Sequence, residues 1–225
     1  MATRSNSWQK CDRRTLLKAA ACTAAPWIVP SSVLGRNAPS NRIAVGIIGL
    51  GTRGIPDMRI FMRNPDVEIR ALCDVNTASK GYRNESLVMG REPALKEATE
   101  YYASRKGSAD FKGIDAYVDF RKIIDRQDID VVAIVVPDHW HAEMTIMAAE
   151  SGKDIFCQKP LTLTVEQGKQ MIQAVRKHKR ILQTGSQWRS HAAVRYMCEL
   201  VRNGRLGKLR RIYATIALNN KKGPG

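Results

Sequence analysis

The sequence is poor in aromatic residues and has no cysteine spacing that would organise a metal site or a disulfide framework. Aromatic side chains make up only 6% of the 225 residues, and no nucleic-acid-binding module is present. The five cysteines form no C-x-x-C pair and no Cys/His cluster; they are Cys11, Cys22, Cys73, Cys157 and Cys198. These absences predict no metal, no disulfide framework and no nucleic-acid partner. Unpaired cysteines are typical of a protein that folds in a reducing compartment.

Apolar runs long enough to cross a bilayer are also absent. The most apolar stretch near the N-terminus, residues 19–30, is short and is interrupted by prolines, so it predicts no stable membrane span. It follows Arg13-Arg14 in D-R-R-T-L-L-K, an arrangement that resembles a twin-arginine (Tat) export signal. The alternative is a flexible basic terminus. We expect residues 1–35 to be a leader for the Tat export machinery, which carries folded proteins to the periplasm or cell envelope, and residues 36–41 to be a linker.

The net charge of +16 is unevenly distributed along the chain. Residues 1–35 hold five basic and one acidic residue, and residues 176–225 hold thirteen basic and one acidic. The stretch between them holds nineteen of each sign and is neutral, which argues against a nucleic-acid-binding domain. The basic C-terminal part instead favours a solvated basic face, an anionic substrate or an acidic partner.

The segment 43–54 reads I-A-V-G-I-I-G-L-G-T-R-G and joins a buried-strand pattern to a glycine-rich turn. Its three glycines have the G-x-G-x-x-G spacing. In that pattern the first glycine permits a tight turn, the second lets the backbone approach a pyrophosphate, and the third lets the next helix pack closely. The helix N-terminus would then hold the phosphates. An ordinary strand–turn–helix is the alternative. The residues expected to contact a dinucleotide here are Gly49, Gly51, Thr52, Arg53 and Gly54.

Asp74 ends a second strand-like run, residues 67–73, and lies 20 residues after Gly54. A carboxylate at that position accepts hydrogen bonds from the hydroxyls of the adenosine ribose. Its charge would repel a 2′-phosphate, so NAD is the expected cofactor and NADP is less favoured. Arg53 and Arg70 keep NADP open, since either guanidinium could pair with a phosphate. A helix-capping role for Asp74 is a further alternative.

Strand-like and helix-like segments alternate along residues 42–190. The strand-like segments lie at about 43–49, 67–73, 117–118, 130–136, 154–157 and 181–183. Helix-like segments lie at about 53–64, 77–110, 120–124, 144–152 and 164–178, with a further helix from Ser190 to Asn203 and Gly204 as its stop. This alternation predicts an α/β fold with a doubly wound parallel sheet of the Rossmann type.

Lys159 follows the fifth strand-like segment, at the edge of the predicted sheet where ligands bind in such folds. Pro160 restricts the backbone before it to an extended conformation. A lysine near a nicotinamide could stabilise alkoxide character as hydride leaves a carbinol carbon, or it could exchange the hydroxyl proton. An ordinary loop lysine is the alternative. His139 and His141 would point in different directions on a loop entering a helix, so their spacing predicts no metal.

Five sequence blocks carry a resemblance when they are taken together. They are G-I-I-G-L-G-T-R-G at 46–54, C-D-V-N at 73–76, P-D-H-W-H-A at 137–142, C-Q-K-P-L-T at 157–162 and Q-T-G-S-Q-W-R-S at 183–190. The chain resembles the exported branch of the Gfo/Idh/MocA oxidoreductases, the family of glucose–fructose oxidoreductase and inositol dehydrogenase. The resemblance implies an NAD(P)-dependent oxidoreductase acting on a sugar, cyclitol or polyol, with Lys159 as the catalytic or nicotinamide-side lysine.

The resemblance also implies that Pro137, His141 and Gln158 line the cofactor pocket. The family usually has Glu where this chain has Gln158, and Gln could still hydrogen-bond a ribose or a nicotinamide. Residues 191–225 are expected to hold only a connecting helix and the first strand, 210–218, of a second α+β domain that binds substrate. The chain is thus expected to be truncated in or before that domain, and the unpaired strand to favour a homo-oligomer. Two alternatives stay open: a redox-neutral NAD-dependent glycosidase of the same family, and a non-catalytic dinucleotide-binding fragment.

Overall fold

The computed structural model describes residues 41–80, 86–106 and 113–215. Contacts along the chain divide it into two compact units, Met1–Arg42 and Ile43–Gly225, and the described residues lie almost entirely in the second. The predicted leader, and all but the last residue of the predicted linker, lie outside the described residues. Among the described residues, no helix has the length and apolar character needed to span a bilayer.

A six-stranded parallel sheet forms the centre of the described fold. Its strands are β1 (Ile43–Ile48), β2 (Val67–Cys73), β3 (Asp115–Tyr117), β4 (Val131–Ile134), β5 (Asp154–Gln158) and β6 (Leu182–Gly185). The order across the sheet is β3-β2-β1-β4-β5-β6, and every neighbouring pair is parallel. The strand order therefore reverses between β1 and β4, where open α/β sheets form a crevice at the carboxyl ends of the strands. The predicted doubly wound Rossmann-type sheet is confirmed.

Helices connect the strands and cover both faces of the sheet. They are α1 (Gly54–Arg63), α2 (Arg91–Lys106), α3 (Arg121–Ile124), α4 (His141–Glu150), α5 (Val165–Lys177) and α6 (Ala192–Arg202). Short 3-10 turns at Asp138–Trp140 and Gln187–Ser190 precede α4 and α6. Helix α5 begins at a capping box: the Thr164 hydroxyl accepts the Gln167 N–H, and the Gln167 side chain reaches back to the Thr164 N–H, so two otherwise unpaired helix donors are satisfied.

Two apolar clusters fill the space between the sheet and the helices. One contains Leu50, Met58 and Ile69, and the other contains Ile134 and Met171; all five side chains are fully buried. Burial on both faces explains why β1 and β4 are continuous apolar runs rather than alternating ones, whereas β2 is also largely buried but contains Glu68 and Arg70. The carboxyl ends of these strands are level, since Ile48 of β1 pairs with Cys73 and with Ile134.

The predicted helix over residues 77–110 is only partly right, because α2 begins at Arg91. Before it, Ser79 and Met89 exchange backbone hydrogen bonds across an isolated antiparallel bridge. Gly90 then turns the chain with a φ of +130°, and a side chain there would lie 2.8 Å from the carbonyl oxygen of Asn76. The backbone N–H groups of this segment are thus used by a tertiary contact instead of by a helix. Residues 81–85 and 107–112 lie outside the described residues.

The C-terminal part differs from its prediction in two places. Helix α6 begins at Ala192 after His191, because Ser190 lies in the preceding 3-10 turn and does not cap it. Gly204, with a φ of +67°, follows the helix as predicted. The strand predicted at 210–218 is not formed in its described part, 210–215. Within the described sheet that segment has no partner strand, and a strand without one leaves its backbone groups to water.

Candidate functional site

The turn between β1 and α1 is packed so closely that two of its glycines have no room for a side chain. Gly49 has a φ of +94°, and a Cβ atom there would lie 2.2 Å from the Val135 carbonyl oxygen. A Cβ atom on Gly54 would lie 1.9 Å from the Gly49 carbonyl oxygen. The first glycine therefore brings the turn against the chain leaving β4, and the third lets α1 start directly on the turn.

The start of α1 is open to an anion. No side chain caps this helix end, although the Ile55 N–H donates to the Gly51 carbonyl oxygen at 3.2 Å and Pro56 has no N–H. The helix start therefore offers an anion chiefly the positive end of its dipole. Thr52 is exposed in the turn, and Gly51 lines the adjoining cavity. Arg53 is directed elsewhere, because its guanidinium forms an ion pair with the buried carboxylate of Asp57 one turn along the helix.

The Asp74 carboxylate is held by two backbone N–H groups. Its Oδ2 accepts from Leu50 at 2.6 Å, and its Oδ1 accepts from Asn76 at 2.8 Å. The first bond ties the end of β2 to the glycine turn, and the second closes an Asx turn in place of the helix cap considered above. The Arg91 guanidinium donates to the Asp74 carbonyl oxygen at 2.6 Å. A carboxylate has about four acceptor positions, so both oxygens keep capacity for a further donor.

A cavity of about 570 Å³ lies over the carboxyl ends of β1, β2 and β4. Apolar groups form most of its wall, and Asp74 and Asp119 are among its lining residues. It brings together four of the predicted site residues: Gly49, Gly51, Asp74 and Pro137. Six others do not line it: Thr52, Arg53, Gly54, His141, Gln158 and Lys159.

Gln158 is buried at the end of β5, and both ends of its amide are used within the protein. Its Nε2 donates to Asp57 Oδ2 at 2.6 Å, and its Oε1 accepts the backbone N–H of Lys159 at 3.1 Å. In this structure the amide is therefore turned toward α1 and not toward the cavity. The Lys159 side chain is exposed, and the peptide bond to Pro160 is cis.

His141, at the start of α4, is also buried and engaged by the backbone. Its Nδ1 lies 2.7 Å from the Pro160 carbonyl oxygen, and its Nε2 lies 2.9 Å from that of Val136. A ring with one proton donates to one of these oxygens, and a ring with two protons donates to both. His141 thus connects the loops after β4 and β5. His139 is separate from it, and the described residues contain no group of three or more potential metal ligands.

Two buried thiols lie near the site. Burial, with smaller effects from the Asp74 and Asp119 charges, raises the pKa of Cys73 to about 12. Burial raises the pKa of Cys157 to about 11. Both side chains stay protonated at neutral pH, so neither is a thiolate nucleophile.

Asp57 and Arg91 contact the candidate site residues Gln158 and Asp74, but the sequence did not predict them as site residues. Asp57 follows Arg53 by four residues in the first turn of a helix, which is the spacing of an ion pair. This signal could have found the pair but not its bond to Gln158. Arg91 is 17 residues from Asp74, and no local pattern relates the two.

A glycine turn without room for side chains, an uncapped helix start and a buried carboxylate after β2 define a dinucleotide-binding α/β protein. Residues 43–186 match the Gfo/Idh/MocA family, described as an oxidoreductase family with an NAD-binding Rossmann fold. The match covers more than half of the chain, so the chain belongs to this family, as predicted.

Curated relatives and solved structures are similar to this chain over its Rossmann part. An α-N-acetylgalactosaminidase of Shewanella oneidensis is 36% identical over 142 residues, which are 63% of this chain and 28% of the relative. A glycosyl hydrolase family 109 protein of another Shewanella is 35% identical over 145 residues, covering 64% and 28%. The chain therefore spans little more than a quarter of these relatives.

Among solved structures, a myo-inositol 2-dehydrogenase of Lactobacillus plantarum is 27% identical with a TM-score of 0.55, over 74% of this chain and 43% of that one. A scyllo-inositol dehydrogenase of Lactobacillus casei, with bound NAD(H) and scyllo-inositol, has the same TM-score at 24% identity, over 74% and 42%. The second likeness shows the fold alone.

Proposed function

We propose that this chain is the cofactor-binding part of an NAD-dependent oxidoreductase that moves hydride between the nicotinamide and a carbinol carbon of a sugar, cyclitol or polyol. The observation that supports it best is the position of Asp74. Asp74 lines the cavity and its carboxylate is bonded to the glycine turn through the Leu50 N–H, so a ribose diol bound there would find an acceptor. Membership of an NAD-binding oxidoreductase family and the likeness to an inositol dehydrogenase support the reaction class.

The residues of the turn fit a dinucleotide. Gly49 and Gly54 let the backbone fold tightly, and the start of α1, which no side chain caps, offers the positive end of its dipole to a pyrophosphate. When bound, the nicotinamide supplies the hydride chemistry. Lys159 would place an ammonium group at the carboxyl end of β5, where it can stabilise negative charge on the substrate oxygen or exchange the hydroxyl proton.

NAD is proposed over NADP because two acidic residues, Asp74 and Asp119, line the cavity, and its one lining arginine, Arg121, lies 3.2 Å from Asp119. The two arginines that the sequence offered as phosphate partners are paired as well. Arg53 pairs with Asp57, and an Arg70 nitrogen lies 3.5 Å from a Glu68 oxygen. A 2′-phosphate beside Asp74 would meet a like charge. Its binding would be weakened by about 1–2 kcal/mol, or roughly five- to thirtyfold in Kd.

The test is a calorimetric titration of the full chain with NAD(H) and NADP(H). We expect tighter NAD(H) binding, and we expect Asp74→Asn to narrow the preference about tenfold. This variant keeps one carbonyl oxygen for the local backbone bonds and removes the charge. Asp66→Asn is the matched control, since Asp66 is exposed in the turn before β2 and lies outside the cavity. Equal or better NADP(H) binding by the unaltered chain would contradict the proposal.

A redox-neutral glycosidase is the second candidate, favoured by the names of the 34–36% identical relatives. Such an enzyme oxidises a sugar carbon transiently and returns the hydride, so that elimination of the glycoside needs no outside oxidant. Net NADH release separates the two. A dehydrogenase accumulates one NADH per product, whereas the glycosidase releases the aglycone with no change in absorbance at the NADH band.

A further inference from the structure

We propose that Asp57 and Gln158 are positioning residues that fix the backbone of Lys159 relative to the phosphate-binding helix α1. This inference rests on the proposed NAD site with Lys159 beside the nicotinamide. It concerns a set of buried contacts that connects two distant parts of the chain, residues 57 and 158.

Two hydrogen bonds of the Gln158 side chain connect α1 to the backbone of Lys159, and we call this pair of bonds the relay. Asp57, in the first turn of α1, accepts from Gln158 Nε2 at 2.6 Å, and the same amide accepts the Lys159 N–H through Oε1 at 3.1 Å. Both side chains are only 3% exposed. Hydrogen bonds between buried groups, one of them charged, are stronger and better fixed in geometry than exposed ones.

The space around the Gln158 amide is closed by Gly185 of β6. A Cβ atom on Gly185 would lie 2.7 Å from Gln158 Cδ and 2.8 and 2.9 Å from its nitrogen and oxygen. The amide is therefore held between α1 and β6 and has one place to lie. On the other side of the lysine, the Pro160 carbonyl oxygen is 2.7 Å from Nδ1 of the buried His141.

These contacts leave the lysine with a fixed backbone and a free side chain. The Lys159 side chain is exposed, while its own N–H is bonded to the buried Gln158 amide and the carbonyl oxygen of the next residue, Pro160, lies beside the buried His141 of α4. A reacting group on a long flexible side chain gains most from such restraint, because orientation is a large part of catalysis. A purely structural amide would stabilise the fold without affecting where the lysine lies.

The experiment measures the ratio of the Kd values for NAD⁺ and NADH in the full chain, and needs no turnover. The oxidised nicotinamide is positively charged and the reduced one is neutral, so a nearby ammonium weakens NAD⁺ selectively. Lys159→Met should therefore lower the ratio, by about three- to tenfold for charges some 6 Å apart in a partly solvated site. Lys177→Met, an exposed lysine in the last turn of α5, is the control and should leave the ratio unchanged.

Three variants then test the relay. Gln158→Met removes both hydrogen bonds without changing the charge. It should lower the logarithm of the Kd ratio by at least half as much as Lys159→Met does. Asp57→Leu and Asp57→Asn remove the same charge, but only Asn keeps an oxygen to accept the Gln158 N–H. We expect Asp57→Leu to behave like Gln158→Met and Asp57→Asn to keep the original ratio within about twofold. Thermal unfolding followed by circular dichroism checks that each variant is folded. If Gln158→Met does not fold, the comparison of Asp57→Leu with Asp57→Asn carries the test.

The outcomes separate this inference from the function on which it rests. No binding of either nucleotide would overturn both. Binding with a ratio that Lys159→Met leaves unchanged would remove the lysine from the nicotinamide and overturn the relay with it. A Kd ratio that falls in Lys159→Met but not in Gln158→Met or Asp57→Leu would overturn the relay alone. An equal fall of the ratio in Asp57→Leu and Asp57→Asn would also overturn it.

Discussion

The two oxygens of Asp74 each accept a backbone N–H before any ligand is bound, from Leu50 and from Asn76. At the scale of single residues, this gives the carboxylate one orientation, so that binding a ribose need not first order the side chain. Gln158 is held just as firmly, but it points toward α1. Hydrogen bonds within the protein thus fix Asp74 in the lining of the cavity and fix Gln158 in contact with α1.

How far the site can be predicted from sequence depends on how local each contact is. Asp74 and the glycines could be predicted because their roles follow from a short spacing along one β–α–β unit. The bond between Asp57 and Gln158 joins residues 101 positions apart, and no periodicity encodes it. The contact expected between Gln158 and the cofactor was implied by the family resemblance, and adjacent residues at a strand end can face opposite ways.

Alkaline destabilisation is predicted from the buried thiols. Burial raises the pKa of Cys73 to about 12 and of Cys157 to about 11, against 9.0 when solvated. Above about pH 9 the unfolded chain loses these protons while the folded chain keeps them. Stability from this source is complete below pH 9 and is lost as pH rises toward 11–12, by up to about 1.4 kcal/mol per pH unit for each thiol.

Urea unfolding at pH 7, 9 and 10.5 measures this effect. Cys157→Ala should unfold more easily at pH 7, because it leaves a small cavity, but its midpoint should fall less steeply above pH 9. Cys198→Ser changes an exposed thiol and should follow the unaltered chain. Parallel curves for all three proteins would show that the buried thiols do not contribute.

At the scale of elements, the strongly patterned ones lie where expected, and the weakly patterned ones do not. β1 and β4 are buried on both faces, so their apolar runs specify strands unambiguously. The segment before α2 has no such pattern, and hydrogen bonds to the Asp74 loop decide its path: the N–H groups of Arg91 and Glu92 donate to the carbonyl oxygens of Asn76 and Thr77. The segment 210–215 has strand-forming residues, yet strand propensity gives no structure without a partner.

The two kinds of glycine in these elements predict opposite effects of the same substitution. Gly54→Ala would place a Cβ atom 1.9 Å from the Gly49 carbonyl oxygen and should destabilise the protein by about 2–3 kcal/mol, as overpacking does. Gly168→Ala, in α5, meets its nearest atom, Thr162 Oγ1, at an ordinary 3.6 Å. It should stabilise by about 0.5–1 kcal/mol through helix propensity. Urea midpoints compare the two; a neutral Gly54→Ala would show that the turn can open without loss.

At the scale of the whole molecule, charge and exposed apolar groups gather at one end of the sequence. The described residues after β6 expose Trp188, Met197, Leu206, Ile212 and Tyr213, in a stretch where basic residues greatly outnumber acidic ones. The sheet domain has balanced charges and buries two large apolar clusters, although it too exposes single apolar side chains such as Ile60 and Val165. None of the described residues after β6 lines the cavity.

We further propose that the molecule folds in the cytoplasm and is exported folded by the Tat route. Arg13-Arg14 precedes a modestly apolar stretch ended by Pro26 and Pro30. Cys73 and Cys157 are buried and unpaired, as in proteins that fold among reducing partners. A cofactor held in an interior crevice is also acquired most simply before export.

The leader of residues 1–35 should therefore export a folded reporter, and changing both arginines to lysine should leave it in the cytoplasm. Arg4→Lys is the matched control and should not alter export. Fractionation of cells carrying the fusions checks this; export that survives the paired change, or that requires an unfolded reporter, would rule out the Tat route.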